Sequence, residues 1–143
     1  MINEIGRLDL QFYQAVIGKH ILSDEVILTE NRELHIIERR GLAFYQKYRP
    51  YFGDIIARPD YIFLDDRPNT VLVCKSFVED LRTVHLVIRL VVEGENPDYK
   101  NSIITAIEEN DKRFCQRLRN RVPLYSKEDD LTTGNNGGII NIE

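Results

Sequence analysis

Cysteine is scarce in this chain: Cys74 and Cys115 are the only two among 143 residues, and neither sits in a CxxC or histidine-rich spacing. That argues against a disulfide framework or a cysteine-ligated metal, and for two reduced, packed thiols in a cytosolic protein. Long apolar runs are also missing. The longest, VHLVIRLVV at 84–92, has the length of a strand and falls far short of the roughly 20 residues that span a bilayer. The start, MINEIGRLDL, has acidic residues where a secretory leader needs a basic segment followed by an apolar one. A cytoplasmic location without membrane association is therefore expected.

Other signatures are absent as well. The chain has no Gly-rich phosphate loop, no Cys and His nucleophile motif, no metal-ligand cluster and no suggestive carboxylate pair, so neither metal nor cofactor is expected. What remains is ordinary globular composition, 43% hydrophobic and 29% charged, at a length suited to one domain. We place that domain at residues 1–126 and read 127–143, rich in Gly, Asn and charge, as a polar, flexible tail or the remnant of a connection to something larger. The formal net charge of −4 disfavours a polyanion, yet KRFCQRLRNR at 112–121 holds Lys112, Arg113, Arg117, Arg119 and Arg121 without a carboxylate. Such a run is a basic stripe for a nucleic-acid backbone or simply a solvated helix face.

Periodicity divides the chain. One or two short strands are expected within the first 28 residues. Thr29 or Asn31 then caps a helix over 30–40 that ends at Gly41, followed by a helix over 42–48 halted by Pro50 and a short turn or helix before Pro59. YIFLD and TVLVCKSF form a hairpin about the turn DRPN; VHLVIRLVV and SIITAI add two further strands, and EENDKRFCQRLRNR a last helix with Phe114, Leu118 and Cys115 as inner-face candidates. The expected class is α+β: N-terminal helices packed on an antiparallel sheet of about four strands, with a late C-terminal helix.

Chemistry concentrates at a few positions. His35 and Arg39 share a helical face with Arg32, while Leu34 and Ile37 are expected to face the core. A histidine at such a border is more often structural than catalytic, although its pKa suits proton transfer. Strand alternation puts His85, Val87, Arg89 and Val91 on one face of 84–92, and Lys75 beside Val71, Val73 and Phe77. Both cations are either snorkelling surface groups or members of a site. Thr105 is expected on the face of Ile103 and Ile107. A histidine, two strand cations and a hydroxyl, without metal ligands, suit metal-free attack of a ribose 2′-hydroxyl on its own phosphate, which requires RNA.

The order VILTENRELHIIERRG, ARPDYIF, VLVCKSF, HLVIRLVV and NSIITAI resembles phage-borne members of the barnase-EndoU-colicin-RelE (BECR) superfamily of ribonucleases, over residues 20–125. The resemblance implies a barnase/RelE-like fold and a phage or prophage endoribonuclease, toxin-like and acting in the bacterial host cytoplasm. It places His35 as general base or acid, Arg39 or Arg40 at the basic position after it, Lys75 on the phosphorane and Thr105 on a phosphate oxygen. Asp60 falls in its Pro-Asp step into a strand. Arg89 joins them from strand alternation, Arg113 and Arg117 as guides for the RNA backbone, and Tyr125 as a base-stacking or packing residue. Implied partners are RNA, tRNA included, and an inhibitor or phage protein. The chain departs from the pattern at Arg40, where relatives often carry a second histidine, and in its acidic net charge. Two alternatives stand beside nuclease activity: a catalytically inactive module of this fold that binds RNA or a protein, and a phage structural or accessory domain.

Overall fold

The computed structural model describes residues 2–127, and the polar tail expected at 127–143 lies almost wholly outside the described residues. Its elements are β1 (Ile2–Arg7), α1 (Leu10–Ile17), β2 (Glu25–Thr29), α2 (Glu30–Arg40), α3 (Leu42–Tyr48), α4 (Phe52–Ala57), β3 (Tyr61–Leu64), β4 (Thr70–Phe77), β5 (Arg82–Arg89), β6 (Asn101–Asn110), α5 (Asp111–Asn120) and β7 (Tyr125–Ser126). The strands form one sheet in the order β1-β2-β6-β5-β4-β3-β7. The α+β class holds. The sheet, however, has seven strands where about four were expected, and it is mixed, because β2 runs parallel to β6.

Each face has its own core. Val71, Val73, Val84, Leu86, Ile88, Ile103 and Ala106 pack beneath α1 to α4, joined by Ile36, Phe44, Tyr48 and Phe52 from the helices. On the reverse face Phe63, Leu72, Cys74 and Val87 meet Phe114, with Leu118 one turn further along α5. Strand alternation explains the division, since odd and even residues of β4 and β5 address opposite faces.

Several elements depart from expectation. LQFYQAVI is the helix α1, because the Asp9 carboxylate accepts a hydrogen bond from the Phe12 amide at 3.2 Å and supplies the cap that the apolar runs obscured. β6 is longer than SIITAI and absorbs Glu108 to Asn110, so α5 begins at Asp111, capped by Asn110. In α2 the cap Thr29 and the exit at Gly41 (φ 98°) are as expected, but Leu34 is 57% exposed and Ile36 is the fully buried residue. Cys115 is exposed.

A bulge in the β5–β6 pairing alters one further expectation. Val87 pairs with Thr105 and Ile88 with Ile103, so Ile104 has no counterpart across the ladder. The extra residue swings Thr105 away from Ile103 and onto the face of Val87. Ile103 and Ala106 consequently share one core while Thr105 looks to the other.

The β6 edge needs cover, since β2 pairs with it only at Asn101 and Ser102. Helix α2 lies along the remainder, and Arg40 Nε donates to the Ala106 carbonyl at 2.9 Å. A carbonyl that would otherwise await another strand is thereby satisfied.

Candidate functional site

Register places a row of side chains across four strands on the α5 face. Ile27 pairs with Ser102, Ser102 with Arg89, and Arg89 with Thr70. The row lies near the end of the sheet where β5 finishes, where β4 and β6 begin and where the β3–β4 turn sits; β2, parallel to β6, enters from that end before passing into α2. Arg32, from the first turn of α2, and Arg67, from the β3–β4 turn, close over it. Together Arg32, Arg67, Pro68, Thr70, Arg89, Ser102 and Ile104 line an open cavity of about 450 Å³.

Each guanidinium is held differently. Arg67 Nε donates to Asp65 Oδ2 at 2.9 Å, which leaves its terminal nitrogens free of that contact. Arg89 forms a bidentate pair with Glu95, its NH1 lying 3.1 Å from Oε1 and its NH2 also bonding Oε2. That contact is the first cause holding the Glu95 carboxyl below the usual carboxylate range, and it also raises the guanidinium's own pKa. The Arg32 side chain has no ion pair among the described residues, so it carries the uncompensated positive charge of the cleft. Three guanidiniums from separate elements around a hydroxyl-bearing floor are suited to phosphate, whose oxygens accept several N–H donors at once.

His35 and Arg39 follow Arg32 along one stripe of α2, at spacings of three and four. His35 is half-buried and Arg39 exposed, and neither has a hydrogen bond or ion pair among the described residues. Thr105 lies on the same face as Arg89, and its Oγ1 is buried without a hydrogen-bond partner. Arg89 and Thr105 thus address the α5 face of the sheet, while His35 and Arg39 continue the α2 stripe that begins at Arg32.

Lys75 does not join them. It pairs with Val84, whose side chain belongs to the core beneath α1 to α4, so Lys75 projects from the opposite face of the sheet to Arg89. Its Nζ donates to the Arg58 carbonyl at 2.8 Å and stands 4.0 Å from Asp54. There it lines a second cavity of about 500 Å³ with Phe12, Arg58, Tyr125 and Lys127. Tyr125 packs edge-to-face on Phe12, with ring centroids 4.9 Å apart. Because the side-chain period of a strand is two, Lys75 and Arg89 cannot both touch one phosphate.

The remaining candidates have assigned contacts. Arg40 covers the Ala106 carbonyl. Arg113 is exposed on the first turn of α5. Arg117 turns inward, its Nε and NH2 gripping Glu109 at 3.0 and 2.9 Å, so it anchors α5 to β6. Asp60 braces the strand entry by accepting the Ser76 amide at 2.9 Å.

Two buried polar residues had not been singled out. His85 is fully buried beneath Phe114, with Nε2 3.1 Å from Glu109 Oε1. Burial lowers the pKa of its imidazole, while the imidazole, followed by Arg117, holds the Glu109 carboxyl at about 2 against the opposing effect of burial. Neighbouring Cys74 is buried, which pushes its thiol well above the ordinary range and removes it from nucleophilic chemistry. Asn101 is the other: its Nδ2 donates to the Ser23 and Glu25 carbonyls at 2.6 and 2.8 Å, and its Oδ1 accepts the Val91 amide at 2.9 Å.

No family model, no curated protein and no solved structure matches the chain.

Proposed function

We propose that this protein binds the phosphodiester backbone of RNA in the cleft of Arg32, Arg67 and Arg89. The observation carrying the reading is the convergence of those guanidiniums, from α2, a hairpin turn and the end of β5, on a cavity that also contains Ser102. Binding needs donors placed around phosphate oxygens, and the cleft offers them. Cleavage by the constellation expected from the sequence would need Lys75 on the same face as Arg89, and the sheet stands between them. The inactive, RNA-binding member of the BECR-like class is therefore the reading the geometry favours. The test is fluorescence anisotropy with labelled RNA. Arg32→Ala and Arg67→Ala should each weaken binding severalfold, and binding indifferent to both would refute the assignment.

A second reading has its own support. The Thr105 hydroxyl lacks a partner, and His35 lies on the stripe that begins with Arg32. A metal-independent ribonuclease could use that side of β6 without Lys75, taking the phosphorane charge on Arg32 and Arg89. In EDTA such an enzyme would leave 2′,3′-cyclic phosphate ends, lose activity in His35→Ala and keep it in Lys75→Ala. Intact RNA after prolonged incubation would leave binding alone.

A further inference from the structure

Arg89 borders two cavities. Beyond its arginine-lined side lies a second hollow of about 430 Å³, lined by Ile27, Arg89, Val91, Glu95, Tyr99 and Lys100. We propose that this hollow receives an unpaired base of single-stranded RNA, stacked on the Tyr99 ring beside the phosphate held at Arg32 and Arg89. The inference rests on the RNA-binding reading and specifies which form of RNA the cleft takes.

Tyr99 is 62% exposed, on the loop between β5 and β6. An aromatic ring so exposed loses favourable burial energy unless something covers it, and here it stands at the rim of a cavity beside two cations. The loop is held before any ligand arrives. Glu95 accepts the Val92 amide at 2.9 Å while gripping Arg89; the Tyr99 amide donates to the Asn96 carbonyl at 3.1 Å; Lys100 Nζ bonds Glu25 at 2.7 Å. Ile27, on the floor, offers an apolar surface to the edge of a base. The combination of an exposed ring on a tethered loop, an apolar floor and an adjoining guanidinium suits one nucleotide, its base on the tyrosine and its phosphate toward Arg89. A base inside a duplex has both faces covered by its neighbours and cannot lie on such a ring.

The experiment compares binding of a short single-stranded RNA, the same RNA annealed into a duplex, and the single strand bearing abasic sites, for wild type, Tyr99→Ala, Tyr99→Phe and Arg32→Ala. Circular dichroism checks the fold of each. Tyr99→Ala should weaken single-strand binding by about tenfold, a typical loss for one stacked base, while Tyr99→Phe binds as wild type. Abasic RNA should not distinguish Tyr99→Ala from wild type, and duplex should bind more weakly than single strand. Equal single-strand affinity in wild type and Tyr99→Ala, with Arg32→Ala impaired, would overturn the stacking site and leave the phosphate cleft standing. Failure of the wild type to bind any of the RNAs would overturn both.

Discussion

At the scale of single residues, Asn101 shows how one amide joins the start of β6 to two other segments. It is fully buried with three hydrogen bonds, to the backbones of residues 23, 25 and 91. Asn101→Ala leaves two carbonyls and an amide without those partners, and should cost about 3 kcal/mol, at roughly 1 kcal/mol or more for each unmet group. Urea unfolding should show this as a lowered midpoint with an unchanged slope. In the sequence Asn101 reads as a loop residue, because its partners lie 10 to 78 positions away.

Glu109 and His85 predict how stability responds to acid. The Glu109 carboxyl has a folded pKa of about 2 against an ordinary 4.5, so its contribution is complete above 4.5 and disappears as pH falls toward 2. Burial lowers the His85 pKa beneath 6.5, so the unfolded chain takes up that proton first and stability also declines as pH falls below 6.5. Melting temperature should therefore drop in two stages below neutrality. In Glu109→Gln the lower stage should be flattened, and an unchanged acid limb would refute the assignment. Strand alternation already put His85 on the face of Arg89; its partner was hidden because EEND reads as the start of a helix.

At the scale of elements, α5 is held by Phe114, by Leu118 and by an ion pair. Phe114 is buried against Tyr61, Phe63 and His85, and Arg117 grips Glu109. Phe114→Ala should cost about 3–4 kcal/mol through lost burial and the cavity left behind. Amide exchange across 111–120 should quicken in that variant, more than in α2. Exchange that rises equally in both helices would show that α5 does not open separately. The helices α2 and α3 and the β3–β4 hairpin were legible from caps, Gly41 and turn residues, which are local signals. The long-range features were not. The parallel β2–β6 pair, the two-residue β7 and the bulge at Ile104 depend on contacts between segments far apart in sequence.

At the scale of the whole molecule, the two faces of the sheet divide the sequence-derived candidates. Arg89 and Thr105 address one face, where Arg32 of α2 joins Arg89, while Lys75 and Tyr125 share a cavity on the other. Alternation correctly predicted the faces of β4 and β5 but not of β6, where the bulge moves Thr105, nor which face of one strand aligns with which face of the next, because pairing register sets that. Arg32 and Arg67 were legible only as charges in a helix and a turn. They become a site because the β3–β4 turn lies at the same end of the sheet as Arg89 and the short strand β2 hands the chain to α2 within reach of it.

The salt dependence of RNA binding tests that arrangement most directly. Log affinity should fall linearly with log salt for the wild type. Arg32→Ala should reduce the slope by about 0.7, the value for one phosphate contact on a single strand, and Lys75→Ala should leave slope and affinity unchanged. If Lys75→Ala abolishes binding while Arg32→Ala matches wild type, the ligand lies on the opposite face and the arginine cleft is not its site.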